Sequence, residues 1–149
     1  MSASKQTILS VEHLKKYFQT ASGQLHAVDD VNFTLAKGET LGVVGESGCG
    51  KSTLGRTILR LHEPTDGKVI FDGKDVTACS KHEMKKLRED MQIIFQDPFA
   101  SINPRMTVSQ TIAEPLLIQG KYKPSDKEAL SRHVRQVMDR VGLAQRLVN

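Results

Sequence analysis

Eight residues, Gly45-Glu46-Ser47-Gly48-Cys49-Gly50-Lys51-Ser52, constrain this chain more than any others. They fill G-x-x-x-x-G-K-[ST], the loop pattern that wraps a nucleotide's phosphates. The apolar run over residues 40–44 before the loop reads as a buried strand, and residues 52–61 after it read as a helix. That order gives the pattern its structural context. Three glycines in six residues let the backbone bend tightly and approach a ligand with no Cβ in the way. The first amides of the helix point at an anion, and the helix dipole adds partial positive charge there. Lys51 brings a full charge for the β- and γ-phosphates, and Ser52 a hydroxyl for Mg²⁺.

With 149 residues the chain is long enough for one domain with a core. No apolar run approaches the length that spans a bilayer, and no apolar signal core follows the first seven residues. The expected location is therefore cytoplasmic. Two cysteines, Cys49 and Cys79, make neither a disulfide framework nor a metal site. Cys49 reads as a small side chain at a variable loop position rather than a catalytic thiol. The net charge of +4 is scattered over short clusters such as Lys15-Lys16 and Lys85-Lys86. They lack the interleaved aromatics that stack bases, so no nucleic-acid partner is expected.

Local patterns divide the chain. Residues 8–14 read as a first strand, and residues 31–35 alternate apolar and polar as a half-exposed antiparallel strand does. Residues 64–67 break the chain, residues 69–71 form a short strand, and Asp72-Gly73 a tight turn. Residues 91–95 read as another buried strand. Capping boxes at Ser80/Glu83, Thr107/Gln110 and Ser125/Glu128 start three helices. Pro115 is expected to kink or break the second. The third carries Leu130, Val134, Val137, Met138 and Val141 as one apolar stripe and ends near Gly142. The expected fold class is α/β, a P-loop NTPase with an antiparallel β portion in front, a parallel-sheet core and a helical portion behind.

The phosphate loop does not by itself choose among kinases, GTPases and motor ATPases. No Asn-Lys-x-Asp motif is present, which disfavours guanine. A small-metabolite kinase would need an acceptor site and basic lid residues, and neither can be placed. Gln96 ends the 91–95 run at the mouth of a loop, with an amide oxygen for a metal ion and an amide N–H₂ for water.

Together, residues 45–54 and residues 95–108 resemble the ATP-binding subunits of ABC transporters, in the group serving dipeptide and oligopeptide importers. The similarity runs from about Leu9 to the last residue. It implies a partial nucleotide-binding domain over 1–149, with an antiparallel β portion at about 7–38, a P-loop core portion at 39–97 and a Q-loop and helical portion at 98–149. It implies ATP and Mg²⁺ as cofactors, bound by Gly45, Glu46, Ser47, Gly48, Cys49, Gly50, Lys51, Ser52, Thr53 and Gln96, with Ser52 and Gln96 on the metal. An aromatic residue after the first strand stacks on adenine in this family; Tyr17 and Phe18 are the candidates, with Phe18 favoured by spacing. Implied partners are transmembrane permease subunits, met near Asn103, Pro104 and Arg105, and a second nucleotide-binding subunit, identical or not. The protein would then sit on the inner face of the membrane through the permease.

The family's L-S-G-G-Q signature, catalytic glutamate and switch histidine have no counterpart in these 149 residues. The sequence is expected to be the front half of such a domain, with no catalytic residue in it and no ATP turnover of its own. An open apolar sheet edge is expected where the P-loop strand's neighbours are missing. The alternative is a non-catalytic module that binds ATP or docks on a permease.

Overall fold

The computed structural model describes residues 6–97, 101–144 and 146, in two compact units, residues 1–92 and 93–149. Pro98, Phe99 and Ala100, part of the stretch that carries the importer likeness, lie outside the described residues, as do the first five.

The first unit is built on a four-stranded antiparallel sheet in the order β2-β1-β3-β4. The long strands β1 (Thr7–Thr20) and β2 (Gly23–Ala36) form a hairpin. β3 (Asp66–Phe71) pairs with the other edge of β1, and β4 (Lys74–Asp75) closes the sheet. Asp72 and Gly73 both have positive φ, 47° and 75°, which gives a hairpin turn whose twist matches its strands.

β1 runs six residues beyond the expected 8–14, through Lys15 and Lys16, because it bends rather than stops. The register slips between Val11 and Leu14, where His13 has a φ of 49°. His13 N–H donates to Asn32 Oδ1 at 2.7 Å, and its ring Nδ1 lies 2.7 Å from Asp30 Oδ1, so β2 holds the bulge in place. Gly67 crosses beside it; a Cβ there would sit 2.3 Å from the His13 carbonyl oxygen. No larger residue fits that crossing.

Helices α1 (Lys51–Ile58) and α2 (Lys81–Leu87) belong to the same unit. Val11, Leu14, Val69, Val76, Met84, Leu87 and Met91 form its buried core, and Leu54, Ile58 and Leu59 pack against it. Burial of each such side chain stabilises the unit by about 1.5–3 kcal/mol. α1 ends three residues before the expected 61. Arg60 turns left-handed at φ 50°, and its N–H and that of Leu61 reach back to the carbonyls of Thr57 and Arg56. The Arg60 guanidinium then donates to the carbonyls of Val76 and Cys79 and pairs with Glu63. That side chain ties the end of α1 to the connection between β4 and α2.

In the second unit, α3 (Val108–Ile118) starts with its capping box formed. It continues through Pro115, contrary to the expected break. Pro115 is exposed, so the Thr111 carbonyl that loses its helical partner is on the solvent side. α4 (Lys127–Arg140) does not begin with the expected Ser125/Glu128 box. Asp126 is the cap residue, and its carboxylate instead accepts from Lys123 N–H and the Ser125 hydroxyl. The apolar stripe holds at Val134 and Met138, both buried, and fails at Val141, which is 65% exposed. Gly142, at φ 71°, ends the helix as expected.

Two expected strands do not form. Residues 40–44 and 91–95 have no regular secondary structure and join no ladder among the described residues. Val44 is 93% exposed and Ile94 is 96% exposed; only Met91 of these runs is buried. An apolar run supplies the propensity for a buried strand, but pairing needs a neighbour on each side. Apolar side chains such as Val44 and Ile94 are exposed, but neither the parallel ladder nor a sheet edge formed by the P-loop strand is present among the described residues.

Candidate functional site

The phosphate loop leads into α1 through Gly50, whose φ of 98° and ψ of 2° place it in the left-handed region. A Cβ at Gly50 would lie 2.1 Å from the Ala27 carbonyl oxygen. β2 therefore presses its backbone directly on the loop, and glycine is the residue that allows it. This contact seats the sheet beside the start of α1.

Among the described residues, Cys49 N–H bonds the Glu46 carbonyl at 3.3 Å, while the amides of Gly48, Gly50, Lys51, Ser52 and Thr53 meet no protein acceptor. The Lys51 ammonium lies back over the loop. It donates to the carbonyls of Gly45 at 2.8 Å and Glu46 at 2.5 Å, and lies 3.5 Å from Cys49 Sγ. Unpaired amides at a helix start beside a flexible ammonium make a concentrated anion-attracting surface.

A cleft of about 310 Å³ opens at this point. Gly48, Cys49, Gly50, Lys51, Ser52 and Thr53 line one side; Phe18, Leu25, His26 and Ala27 line the other. Ser47 is exposed in the loop. The sheet thus brings Phe18 to the cleft that holds the loop. The Ser52 hydroxyl makes no hydrogen bond among the described residues. An alcohol oxygen beside a phosphate site is a hard donor of the kind Mg²⁺ accepts. Gln96 lies in the second unit, exposed in a bend, and is not among the cleft residues. No group of three or more His, Cys, Asp or Glu side chains suited to a metal ion occurs among the described residues. None of the helices there is long and apolar enough to cross a membrane.

Tyr17 is not among the cleft residues. Its ring stacks on His26 with centroids 3.8 Å apart and an interplanar angle of 12°, and its hydroxyl donates to Asp29. That hydrogen bond pushes the Tyr17 phenol up to about 12 and holds the Asp29 carboxyl below its usual range. On β1, Tyr17 pairs with His26 and Phe18 with Leu25; of the two aromatics only Phe18 is among the cleft residues, although His26, on which the Tyr17 ring stacks, lines the cleft as well. The Ala27 contact and the His26–Tyr17–Asp29 group carried no sequence signal. Both depend on strand register, which no local pattern encodes.

The second unit holds a groove of about 780 Å³ between α3 and α4. Asn103, Arg105 and Met106 line its mouth, with Ala113, Leu117, Leu130 and Val134 along its walls.

Residues 28–148, most of the chain, match the ABC transporter family. The chain belongs to that family. Its fold is that of an ABC ATP-binding cassette: a dimeric cassette, MJ0796, described as a post-hydrolysis state bound to ADP and Pi, superposes with a TM-score of 0.76 at 26% identity, over 95% of this chain and 60% of that one. Among ABC relatives by sequence, the oligopeptide transport ATP-binding protein OppF of Bacillus subtilis is 50% identical over 143 residues, covering 95% of this chain and 46% of that protein. OppF of Salmonella typhimurium is 44% identical, covering 97% of this chain and 46% of that protein. The chain thus spans less than half the length of these relatives.

Proposed function

We propose that this chain binds the triphosphate of ATP on residues 45–53 and serves as the nucleotide-binding part of an ABC importer for peptides or similar small solutes. The observation that carries this reading is the run of unpaired amides from Gly50 to Thr53, with the Lys51 ammonium at hand, on the same cleft as Phe18. A triphosphate tail is multiply charged and rich in acceptors, which suits such donors. The peptide cargo rests on relatives named for oligopeptide transport.

Each residue then has a role. Gly45, Gly48 and Gly50 shape the cradle, with Glu46, Ser47 and Cys49 as its spacers. Lys51 turns from the Gly45 and Glu46 carbonyls to the β- and γ-phosphates. Thr53 adds an amide near the α-phosphate end. Ser52 and Gln96 would hold Mg²⁺, which supplies positive charge on the phosphate oxygens when bound. Phe18 offers its ring to the base. The groove between α3 and α4, with Asn103 and Arg105 at its mouth, is the face offered to a permease subunit. That contact would place the protein at the inner membrane surface, working with a second nucleotide-binding subunit.

Calorimetric titration with Mg-ATP tests the reading. A charge-assisted hydrogen bond contributes about 1.5–3 kcal/mol, so Lys51→Ala should weaken binding by about tenfold to a hundredfold. The lower end is expected, since Lys51 gives up two carbonyl partners on binding. Lys37→Ala, on an exposed turn, should bind as the parent does. Equal affinity for the Lys51→Ala and parent chains would overturn the assignment.

A further inference from the structure

We infer that Tyr17 is a positioning residue for the nucleoside: it does not touch the base, but clamps β1 so that Phe18 faces the cleft. This rests on the reading of the cleft as an ATP site. Three contacts fix Tyr17 from three directions. Its ring lies flat on His26 of β2 at 3.8 Å, its hydroxyl donates to Asp29 of β2, and its backbone N–H donates to Thr65 Oγ1 at 2.9 Å, just ahead of β3. The strand end is thereby held to both of its neighbours. His26 in turn has its Nδ1 3.6 Å from Asp29 Oδ2, so the two β2 partners also restrain each other.

The consequence for Phe18 follows from strand geometry. Beyond Tyr17 the hairpin has only three more paired positions, ending at Thr20 and Gly23. Such an end frays readily in water. Phe18 itself touches Lys16, whose Nζ lies 4.8 Å over the ring, and the edge of His62. Lys16 is a long, flexible side chain and His62 meets the ring only edge-on, with centroids 5.5 Å apart, so neither contact by itself fixes the direction of the ring. The clamp one residue earlier on β1, anchored to His26 at the cleft wall, is what sets the backbone direction from which the Phe18 ring leaves β1. With one ring face covered by His26 and the hydroxyl engaged, Tyr17 is occupied as a strut.

A double-mutant cycle on the full chain tests this, with Mg-ATP and Mg-tripolyphosphate titrated into each variant. Phe18→Ala should weaken ATP on the order of fivefold or more, from lost stacking, and leave tripolyphosphate unchanged. Tyr17→Ala should weaken ATP at least about threefold, with tripolyphosphate again unchanged. In the Phe18→Ala background, Tyr17→Ala should cost nothing further. Tyr17→Phe keeps the stack on His26 and loses only the Asp29 bond, so it should fall between parent and Tyr17→Ala. An additive loss in the double variant would mean that Tyr17 meets the nucleotide itself and would overturn the inference. A parallel loss of ATP and tripolyphosphate in Tyr17→Ala would reduce the residue to general stability and overturn it too. If tripolyphosphate fails to bind the parent chain, the phosphate site itself is wrong, and this inference falls with it.

Discussion

Gly50 and Gly48 sit two residues apart with similar backbone angles, φ 98° and 82°, and very different surroundings. A methyl group added at Gly50 meets the Ala27 carbonyl oxygen at 2.1 Å and its carbon at 3.2 Å; at Gly48 it meets nothing within 4 Å. Both alanines suffer the left-handed backbone, which costs about 1–2 kcal/mol. Only Gly50→Ala adds an overlap with backbone that cannot rotate away, about 1–3 kcal/mol of overpacking. Gly50→Ala should therefore destabilise by about 2–5 kcal/mol and Gly48→Ala by about 1–2. Gly45→Ala supplies the third point. Its methyl meets Cys49 Sγ at 2.6 Å, the end of a side chain that can turn aside, and it should cost about 1 kcal/mol or less. Urea unfolding followed by far-ultraviolet circular dichroism, without nucleotide, measures all three. If Gly50→Ala and Gly48→Ala cost the same, the seating of β2 on the loop is wrong. If Gly45→Ala matches Gly50→Ala, the distinction between a rigid and a movable neighbour fails.

Three other outcomes follow from the same physics. Met138, fully buried on α4, should lose about 2–5 kcal/mol of stability on truncation to alanine, while Val141→Ala, 65% exposed, should stay within about 0.5 kcal/mol; urea titrations of the two variants decide it. Ultraviolet titration of the parent minus the Tyr17→Phe variant should show the Tyr17 phenol ionising near 12, and Asp29→Asn should bring it back toward 10. Because the folded value is raised, this bond's stabilisation is fully present below pH 10 and is lost as pH rises toward 12. For Asp29, whose value is lowered, the stabilisation is present above the ordinary carboxylate range and lost as pH falls through the lowered value. Finally, Val44→Lys with Ile94→Lys should suppress concentration-dependent light scattering without lowering the unfolding midpoint, since both side chains are almost fully exposed.

Local signals in the sequence were reliable where the physics is local. The Ser80/Glu83 and Thr107/Gln110 boxes form because both partners lie within one turn. Asp72-Gly73 makes its turn because two residues fix its backbone angles. The loop at 45–52 with its helix is similarly self-contained. The third box does not form: the helix begins one residue later, with Asp126 as its cap residue, and the Ser125 hydroxyl donates to the Asp126 carboxylate. Where the outcome depends on distant partners, sequence pattern misled. Residues 40–44 have the composition of a strand, but no neighbour pairs with them among the described residues. Val141 continues the stripe of α4 by spacing, yet Gly142 turns the chain there and leaves it in solvent. In the candidate site, the loop residues were legible one by one. Spacing already favoured Phe18 over Tyr17, and Phe18 is the one of the two among the cleft residues; the stacking of Tyr17 on His26 depends on the register of β1 against β2 and was not legible.

Amide ¹H–¹⁵N spectra recorded during titration with Mg-tripolyphosphate address the central claim without a base or sugar to confuse it. Large shifts should be confined to Gly48, Gly50, Lys51, Ser52 and Thr53, whose N–H groups have no partner among the described residues, and should be absent from α4. A spectrum in which those five amides stay still while others move would contradict the account.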